Sequence, residues 1–295
     1  MSNVLSFKKV SVWSVLIKIV LFMMLTLVVF LLAAFLLDID ITMIISLYSI
    51  VSYTGIIFIL FHEFKTDGIE REFVIGNLSI RNESLLKYIS IQVFITFFSI
   101  LAVLTLLNLF TNMEDFIQEI IISAADAPQI SGLILLLYVV AAVVFAPIAE
   151  ELLFRGFLFN RWGETIGLGK AMIFSSIIFS AIHFNQGFIG HFIFGIFACI
   201  IYVKTKKLII PIILHGLNNL IAISPQFLEV IFNTTTEATI DPVELKQFFD
   251  YFQIVLNIGT IIFFILTPVM IYIIYRLYPK GVKVTPYESN KLKSA

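Results

Sequence analysis

Long apolar stretches alternate with short polar segments along the 295 residues of this chain. A helix needs about 20 mostly apolar residues to cross the hydrocarbon core of a bilayer. The pattern therefore predicts an all-α fold, a polytopic membrane helix bundle with about eight transmembrane helices in a single integral membrane domain, 1–295. The predicted spans lie at roughly 13–37, 41–61, 86–110, 131–149, 171–186, 188–203, 208–224 and 253–277. The fifth and sixth are short, and the segment 185–187 between them predicts a tight hairpin.

The positions of Lys and Arg predict how these helices are oriented, because cytoplasmic loops carry an excess of basic residues. If the N-terminus is cytoplasmic, 18 of the 19 basic residues fall on the cytoplasmic side and only Lys246 falls outside. Both termini are therefore predicted to be cytoplasmic. Two connections, 62–85 and 225–252, are long and mix charged with apolar residues. Each is consistent with a helix on the membrane surface or with a partly ordered loop.

Composition supports the membrane class. Apolar residues make up 60% of the chain and charged residues only 13%, whereas globular proteins have about 25% charged residues. We expect a multi-pass protein of the cell membrane, of the bacterial plasma membrane type, with the lipid bilayer as a partner and no nucleic acid. The apolar run from Ile19 to Leu37 is longer than the core of a signal peptide, which predicts a retained first span. The single cysteine, Cys199, cannot form an internal disulfide, and no basic residue adjoins it.

Three ionisable residues stand together at the end of the fourth span: Glu150, Glu151 and Arg155. A carboxylate near the membrane interior is costly and is a functional candidate by default. Residues four apart share a helix face, so Glu151 and Arg155 are positioned to pair, whereas Glu150 points elsewhere. This leaves Glu150 as a candidate general base. The same three charges would also suit an ordinary helix end at the membrane surface.

Three further polar residues lie inside apolar spans. His215 and Asn219 are four apart on the seventh span, where they could donate hydrogen bonds to a developing oxyanion or simply join helices. His183 follows Phe179 by one turn and is consistent with a packing residue or a catalytic one. Pro147 and Pro211 precede the motifs by three and four residues and can kink their helices.

The sequence leaves the metal question open. It has no His-Glu-x-x-His motif, the signature of many zinc proteases. Glu150, His183 and His215 could still converge from three helices as metal ligands, with zinc the possible ion. A glutamate that activates water without a metal is equally consistent with the residues.

Taken together, Glu150-Glu151-x-x-x-Arg155, Phe179-x-x-x-His183 and His215-x-x-x-Asn219 resemble the three motifs of the CPBP family of intramembrane proteases. That family includes type II CAAX prenyl proteases and bacteriocin-processing and self-immunity proteins. The resemblance covers about residues 130–222, which would be the protease core. It implies hydrolysis of a peptide bond in a membrane-associated protein or peptide.

The resemblance also implies roles for the motif residues. Glu150 would activate water with help from His183, and His215 with Asn219 would stabilise the oxyanion. Glu151 and Arg155 would support the site. The family analogy suggests peptide maturation or bacteriocin immunity as the biological role. The alternative is a membrane scaffold or immunity protein that acts by binding a partner. A third class is a proton-coupled transporter, but this sequence lacks the internal repeats expected of one. The sequence does not define an oligomeric state.

Hydropathy conflicts with this assembly at one point. It places Glu150 near the cytoplasmic end of its span and His183 near the outer end of the next, which separates them by about 10–15 Å along the membrane normal. A catalytic base needs its partners within hydrogen-bond reach. We therefore predict that the fourth helix begins later than its apolar run and extends through Trp162, so that Glu150 lies deeper than the apolar run suggests.

Overall fold

The computed structural model describes residues 6–81, 84–111, 131–224 and 242–294. Within these ranges the regular structure is helical, and the long helices form a membrane bundle. The helices are α1 (Val12–Leu37), α2 (Ile41–Thr66), α3 (Arg71–Ile75), α4 (Leu85–Phe110), α5 (Gly132–Ile166), α6 (Leu168–Ile182), α7 (Phe188–Thr205), α8 (Ile209–Ala222), α9 (Pro242–Leu277) and α10 (Pro286–Ser294).

All eight predicted spans are helical, and six of them are long and apolar enough to cross a membrane. The other two, α6 and α8, have only 15 and 14 residues. Helices α1 and α9 expose many large apolar side chains, which is typical of surfaces that face lipid. The all-α polytopic bundle is thus confirmed, and the chain is a multi-pass membrane protein. The cytoplasmic location of both termini stays a prediction.

Polar side chains mark where several helices begin. Asp40 caps α2 by accepting hydrogen bonds from the backbone N–H groups of Thr42 and Met43, at 2.8 and 3.1 Å. Together with the Thr42 hydroxyl, these bonds hold the pKa of the Asp40 carboxyl below its usual range. Ser11 and Ser131 accept equivalent bonds at the starts of α1 and α5. Short polar residues between apolar runs therefore set the helix boundaries.

The predicted hairpin between the fifth and sixth spans is confirmed. Helix α6 ends at Ile182, a single 3₁₀ turn follows at Phe184–Gln186, and Gly187 has φ of +105° before α7 begins. Only glycine adopts this backbone conformation readily. The turn brings α6 and α7 together as antiparallel neighbours. His183 lies at its entrance.

The long connection 62–85 is resolved into defined parts. Helix α2 continues to Thr66, and the short helix α3 packs with Val74 fully buried and Ile69 nearly so. These two apolar side chains therefore face protein. They do not lie along the membrane surface, which was one of the two interpretations of this segment. Most of the other long connection, 225–252, lies outside the described residues, and its last part belongs to α9.

The C-terminal helix α10 forms hydrogen bonds with the C-terminal part of α5, with α3 and with the end of α7. Asn290 donates to the carbonyl groups of Phe73 and Lys206, both at 2.9 Å. Asn160 on α5 accepts from the Tyr287 N–H at 3.2 Å and donates to the Gly156 carbonyl at 2.8 Å. Because buried polar groups cost free energy unless they are paired, these bonds fix the position of α5.

Candidate active site

Helix α5 is one continuous helix of 35 residues, as the predicted extension through Trp162 required. Its predicted later start is wrong, because Ser131 caps the helix and the first turn begins at Gly132. Its backbone changes register twice, through π turns at Ala141–Phe145 and Leu152–Phe159. The two glutamates lie between these turns. Such π turns are uncommon and often occur at functional sites.

Pro147 explains part of this irregularity. In the first π turn the Ala146 N–H donates to the carbonyl of Ala141, five residues back. The same register would pair residue 147 with Ala142, but proline has no N–H to donate. Asn219 on α8 supplies the missing donor, since its Nδ2 lies 2.8 Å from the Ala142 oxygen.

Close packing of α8 against α5 depends on Gly216. A Cβ atom at this position would lie 2.8 Å from the backbone oxygen of Val143. Contacts this short essentially never occur for a real Cβ, so only glycine fits without a shift of one helix. The close approach places the adjacent residue, His215, beside the two glutamates of α5.

Glu151 and Arg155 form the predicted ion pair. Their Oε1 and Nη1 atoms are 2.8 Å apart, and both side chains are fully buried. The guanidinium also lies over the ring of Phe179, with Cζ 4.5 Å from the ring centroid. The Glu151 carboxylate has a second partner that the sequence did not reveal, because its Oε1 also lies 2.9 Å from Nδ1 of His215. Glu151 therefore orients both Arg155 and His215.

Glu150 faces the two histidines from the other side of the helix. Its Oε2 atom lies 3.5 Å from Nε2 of His183 and 3.8 Å from Nε2 of His215. This oxygen is buried and accepts no hydrogen bond from the described residues. The separation of 10–15 Å inferred from hydropathy is thus wrong. The extended α5 and the short α6 bring the two motifs to one level.

Hydrogen bonds at the other ring nitrogens fix the orientation of both histidines. Nδ1 of His183 lies 2.8 Å from the Phe179 carbonyl oxygen, which can only accept, so Nδ1 carries the proton. In the neutral ring, Nε2 then presents a lone pair to Glu150. Nδ1 of His215 likewise donates to Glu151, which leaves Nε2 of His215 toward Glu150.

Glu150 and His183 line a cavity of about 690 Å³ between α2, α4, α5, α7 and α8. Its wall includes Glu150, His183 and Asn219 from the predicted site. It also includes two residues that sequence reasoning missed or treated as structural. Tyr53 of α2 interacts with the Glu150 carboxylate. His191 of α7 stacks on His183 with ring centroids 4.6 Å apart and planes within 8°.

The structure therefore brings all six predicted site residues together, but in different ways. Glu150, His183 and His215 converge through their side-chain atoms, and Glu151 and Arg155 lie directly behind them. Asn219 reaches the same cavity, although one of its N–H groups is used on α5. The sequence patterns considered above did not point to Tyr53 or His191.

The metal hypothesis gains no geometric support. Across the described residues, no group of three or more His, Cys, Asp or Glu side chains has the arrangement needed to hold a metal ion. The mechanism proposed for the site therefore uses side chains alone.

Comparison with known proteins gives one match. Residues 132–221 match the family model described as Type II CAAX prenyl endopeptidase Rce1-like. No curated protein and no solved structure matches the chain. The matched segment runs from the start of α5 to the last turn of α8 and contains every motif residue of the site. The match covers less than half of the chain, and it shows that the segment carrying the three motifs is similar to type II CAAX prenyl endopeptidases.

Proposed function

We propose that this protein is an intramembrane endopeptidase that hydrolyses a peptide bond of a membrane-associated protein or peptide through a glutamate-activated water. One observation carries the proposal. Oε2 of Glu150 and Nε2 of His183 are both acceptors, and they face each other at 3.5 Å inside a membrane cavity. Two buried acceptors this close are unfavourable without a donor, and a water molecule can donate one O–H to each.

The reaction then follows from these positions. Glu150 takes a proton from the water while the water oxygen attacks the carbonyl carbon of the substrate. His183 accepts a hydrogen bond from the second O–H and holds it in place. The tetrahedral intermediate carries its negative charge on the former carbonyl oxygen. Glu150 returns the proton to the amide nitrogen, the C–N bond breaks, and a carboxylic acid and an amine leave.

His215 and the pair behind it serve the oxyanion. With both ring nitrogens protonated, His215 donates through Nε2 toward the cavity, and Glu151 holds the opposite N–H at 2.9 Å. A carboxylate in this place fixes the imidazole orientation and stabilises its charge. Arg155 holds Glu151 in place at 2.8 Å. Asn219 is proposed to contribute its second N–H to the same oxyanion.

The family name suggests the first substrate to try, a peptide with a prenylated C-terminal CAAX sequence. A second probe is a membrane-inserted reporter peptide without a prenyl group. Bacteriocin immunity or peptide maturation remains the proposed biological setting, and the two probes separate a prenyl-dependent enzyme from a general membrane peptidase.

The test compares purified wild-type protein with Glu150→Gln and His183→Ala in detergent or lipid vesicles. We expect Glu150→Gln to abolish cleavage, and His183→Ala to lower kcat by about 10²–10⁴-fold, the range for a general acid–base group. Equal cleavage by the wild type and Glu150→Gln would refute the glutamate mechanism. A phenotype in cells that survives both substitutions would support the alternative of a scaffold that acts by binding.

A further inference from the structure

A second asparagine of α8, Asn218, is held by two side chains from α4. Its Oδ1 accepts a hydrogen bond from Gln92 Nε2 at 3.1 Å and from Thr96 Oγ1 at 2.8 Å. Gln92 is fully buried, and its Nε2 also lies 3.3 Å from Thr96 Oγ1. This network crosses between two helices and fixes the plane of the Asn218 carboxamide.

The network uses only the oxygen of that carboxamide. Among the described residues, Nδ2 of Asn218 meets no acceptor, although the residue lines the cavity that contains Glu150 and His183. The opposite orientation of both amides is unfavourable. It would bury the Gln92 NH₂ group where the oxygen Oε1 now lies without any partner, and two unpaired donors cost more than one unpaired acceptor. The Asn218 NH₂ group therefore faces the cavity.

Asn219 is placed differently. Its Nδ2 already donates to the Ala142 carbonyl at 2.8 Å and replaces the N–H that Pro147 lacks. That bond ties α8 to α5. Asn218 follows His215 by three residues, so the two side chains share a helix face about one turn apart. The two side chains are therefore on the same side of α8, next to the cavity that Asn218 lines.

We infer that Asn218 is a further catalytic residue, which donates a hydrogen bond from Nδ2 to the scissile carbonyl oxygen of a peptide substrate. The inference rests on the proposed peptidase function. Gln92 and Thr96 are positioning residues that hold the donor before substrate arrives. Donors fixed in advance at a site of developing charge are the most effective stabilisers of an oxyanion.

The test measures kcat and KM for the prenylated CAAX peptide and the non-prenylated membrane peptide. Asn218→Leu removes the amide at similar size, and we expect kcat to fall by about 10²–10³-fold with little change in KM. Gln92→Met frees the amide without removing it, and its kcat should fall between that variant and the wild type. The matched control is Asn257→Leu. Asn257 on α9 accepts a similar amide hydrogen bond from Asn108 on α4 at 3.1 Å, away from the cavity. This variant should keep full activity.

A second readout separates catalysis from helix packing. A substrate with sulfur in place of the scissile carbonyl oxygen is a weaker hydrogen-bond acceptor, so the wild type should cleave it much more slowly than its oxygen counterpart. In Asn218→Leu this oxygen-to-sulfur rate ratio should shrink by about tenfold or more, because the donor is gone. A residue that only joins helices would leave the ratio unchanged.

The outcomes are distinct. If the wild type cleaves a probe and Asn218→Leu retains kcat within about threefold, or keeps the wild-type sulfur ratio, the role of Asn218 is refuted and the proposed peptidase stands. If Asn218→Leu is poorly folded, Asn218→Ser takes its place with the same expected ratio. If the wild type cleaves neither probe while well folded, the proposed function falls, and the role of Asn218 falls with it.

Discussion

Replacement of Arg155 by Met should destabilise the protein severely. Arg155 and Glu151 are fully buried with 2.8 Å between their charged atoms. Removal of Arg155 leaves the buried Glu151 carboxylate with His215 as its remaining partner, and breaking a buried ion pair typically costs about 3–5 kcal/mol. The same substitution removes the cation–π contact with Phe179, where the guanidinium lies 4.5 Å from the ring centroid. We expect a loss near the upper end of that range.

Glu151→Gln should cost somewhat less than Arg155→Met. The amide oxygen of Gln can still accept from the guanidinium, and the contact of Arg155 with Phe179 persists. The double variant should lose less than the sum of the two single losses, because it leaves no isolated charge. For residues in direct contact, such coupling amounts to about 0.5–3 kcal/mol.

The assay is thermal unfolding of the purified variants in one detergent, followed by intrinsic fluorescence. At roughly 2–4 °C per kcal/mol, the single variants should lower the midpoint by about 10 °C. Glu70→Gln is the matched control, since Glu70 is more than half exposed and its Lys291 partner lies at 4.0 Å. Exposed pairs contribute about 1 kcal/mol or less. If Arg155→Met shifted the midpoint no more than this control, or if the double variant were additive, the buried pair would not stabilise the fold as argued.

Three further predictions concern the packing of α5 against α8, the proline in α5 and the use of a metal ion. Gly216→Ala should lower both the unfolding midpoint and activity, because its Cβ would meet the Val143 oxygen at 2.8 Å, and a wild-type activity would show that the helices separate easily. Pro147→Ala should raise the midpoint, since proline in a helix interior costs about 3 kcal/mol relative to Ala, yet lower kcat because a new N–H competes with Asn219 for the Ala142 oxygen. Exhaustive chelation should leave cleavage intact if the side chains act alone, and restoration of lost activity by added zinc would overturn that mechanism.

Hydropathy predicted the helices and most of their ends well, but it missed the end of α5 and the start of α9 by more than ten residues. The apolar residues of the eight spans are the physical cause of membrane insertion, so their positions in sequence match the helices closely. Helix ends depend instead on caps and on packing between neighbours. Helix α5 continues beyond its apolar run because its later residues, such as Phe157 and Phe159, are buried against other helices of the same chain.

The site was predictable only where its residues share a helix. The four-residue spacing of Glu151 and Arg155 correctly predicted their ion pair. Contacts between helices had no such signal. Two such contacts are the hydrogen bond between Glu151 and His215 and the hydrogen bond from Gln92 to Asn218. Both depend on how α4, α5 and α8 pack together, and the spacing of residues within one helix does not predict this packing.

The length of α5 accounts for the depth of Glu150, the proposed general base. At about 1.5 Å per residue, 35 helical residues span roughly 50 Å, far more than the roughly 30 Å hydrocarbon core. Helix α5 must therefore extend beyond the core or tilt strongly. Glu150 lies 18 residues after Gly132 and 16 before Ile166, near the middle of the helix. The short helices α6 and α8 carry the histidines to that middle level, with His183 at the end of α6 and His215 halfway along α8. The difference in helix length thus places the proposed general base, its partners and the cavity at one depth. A bundle of equally long helices with their polar residues at the ends would not bring these groups to one level.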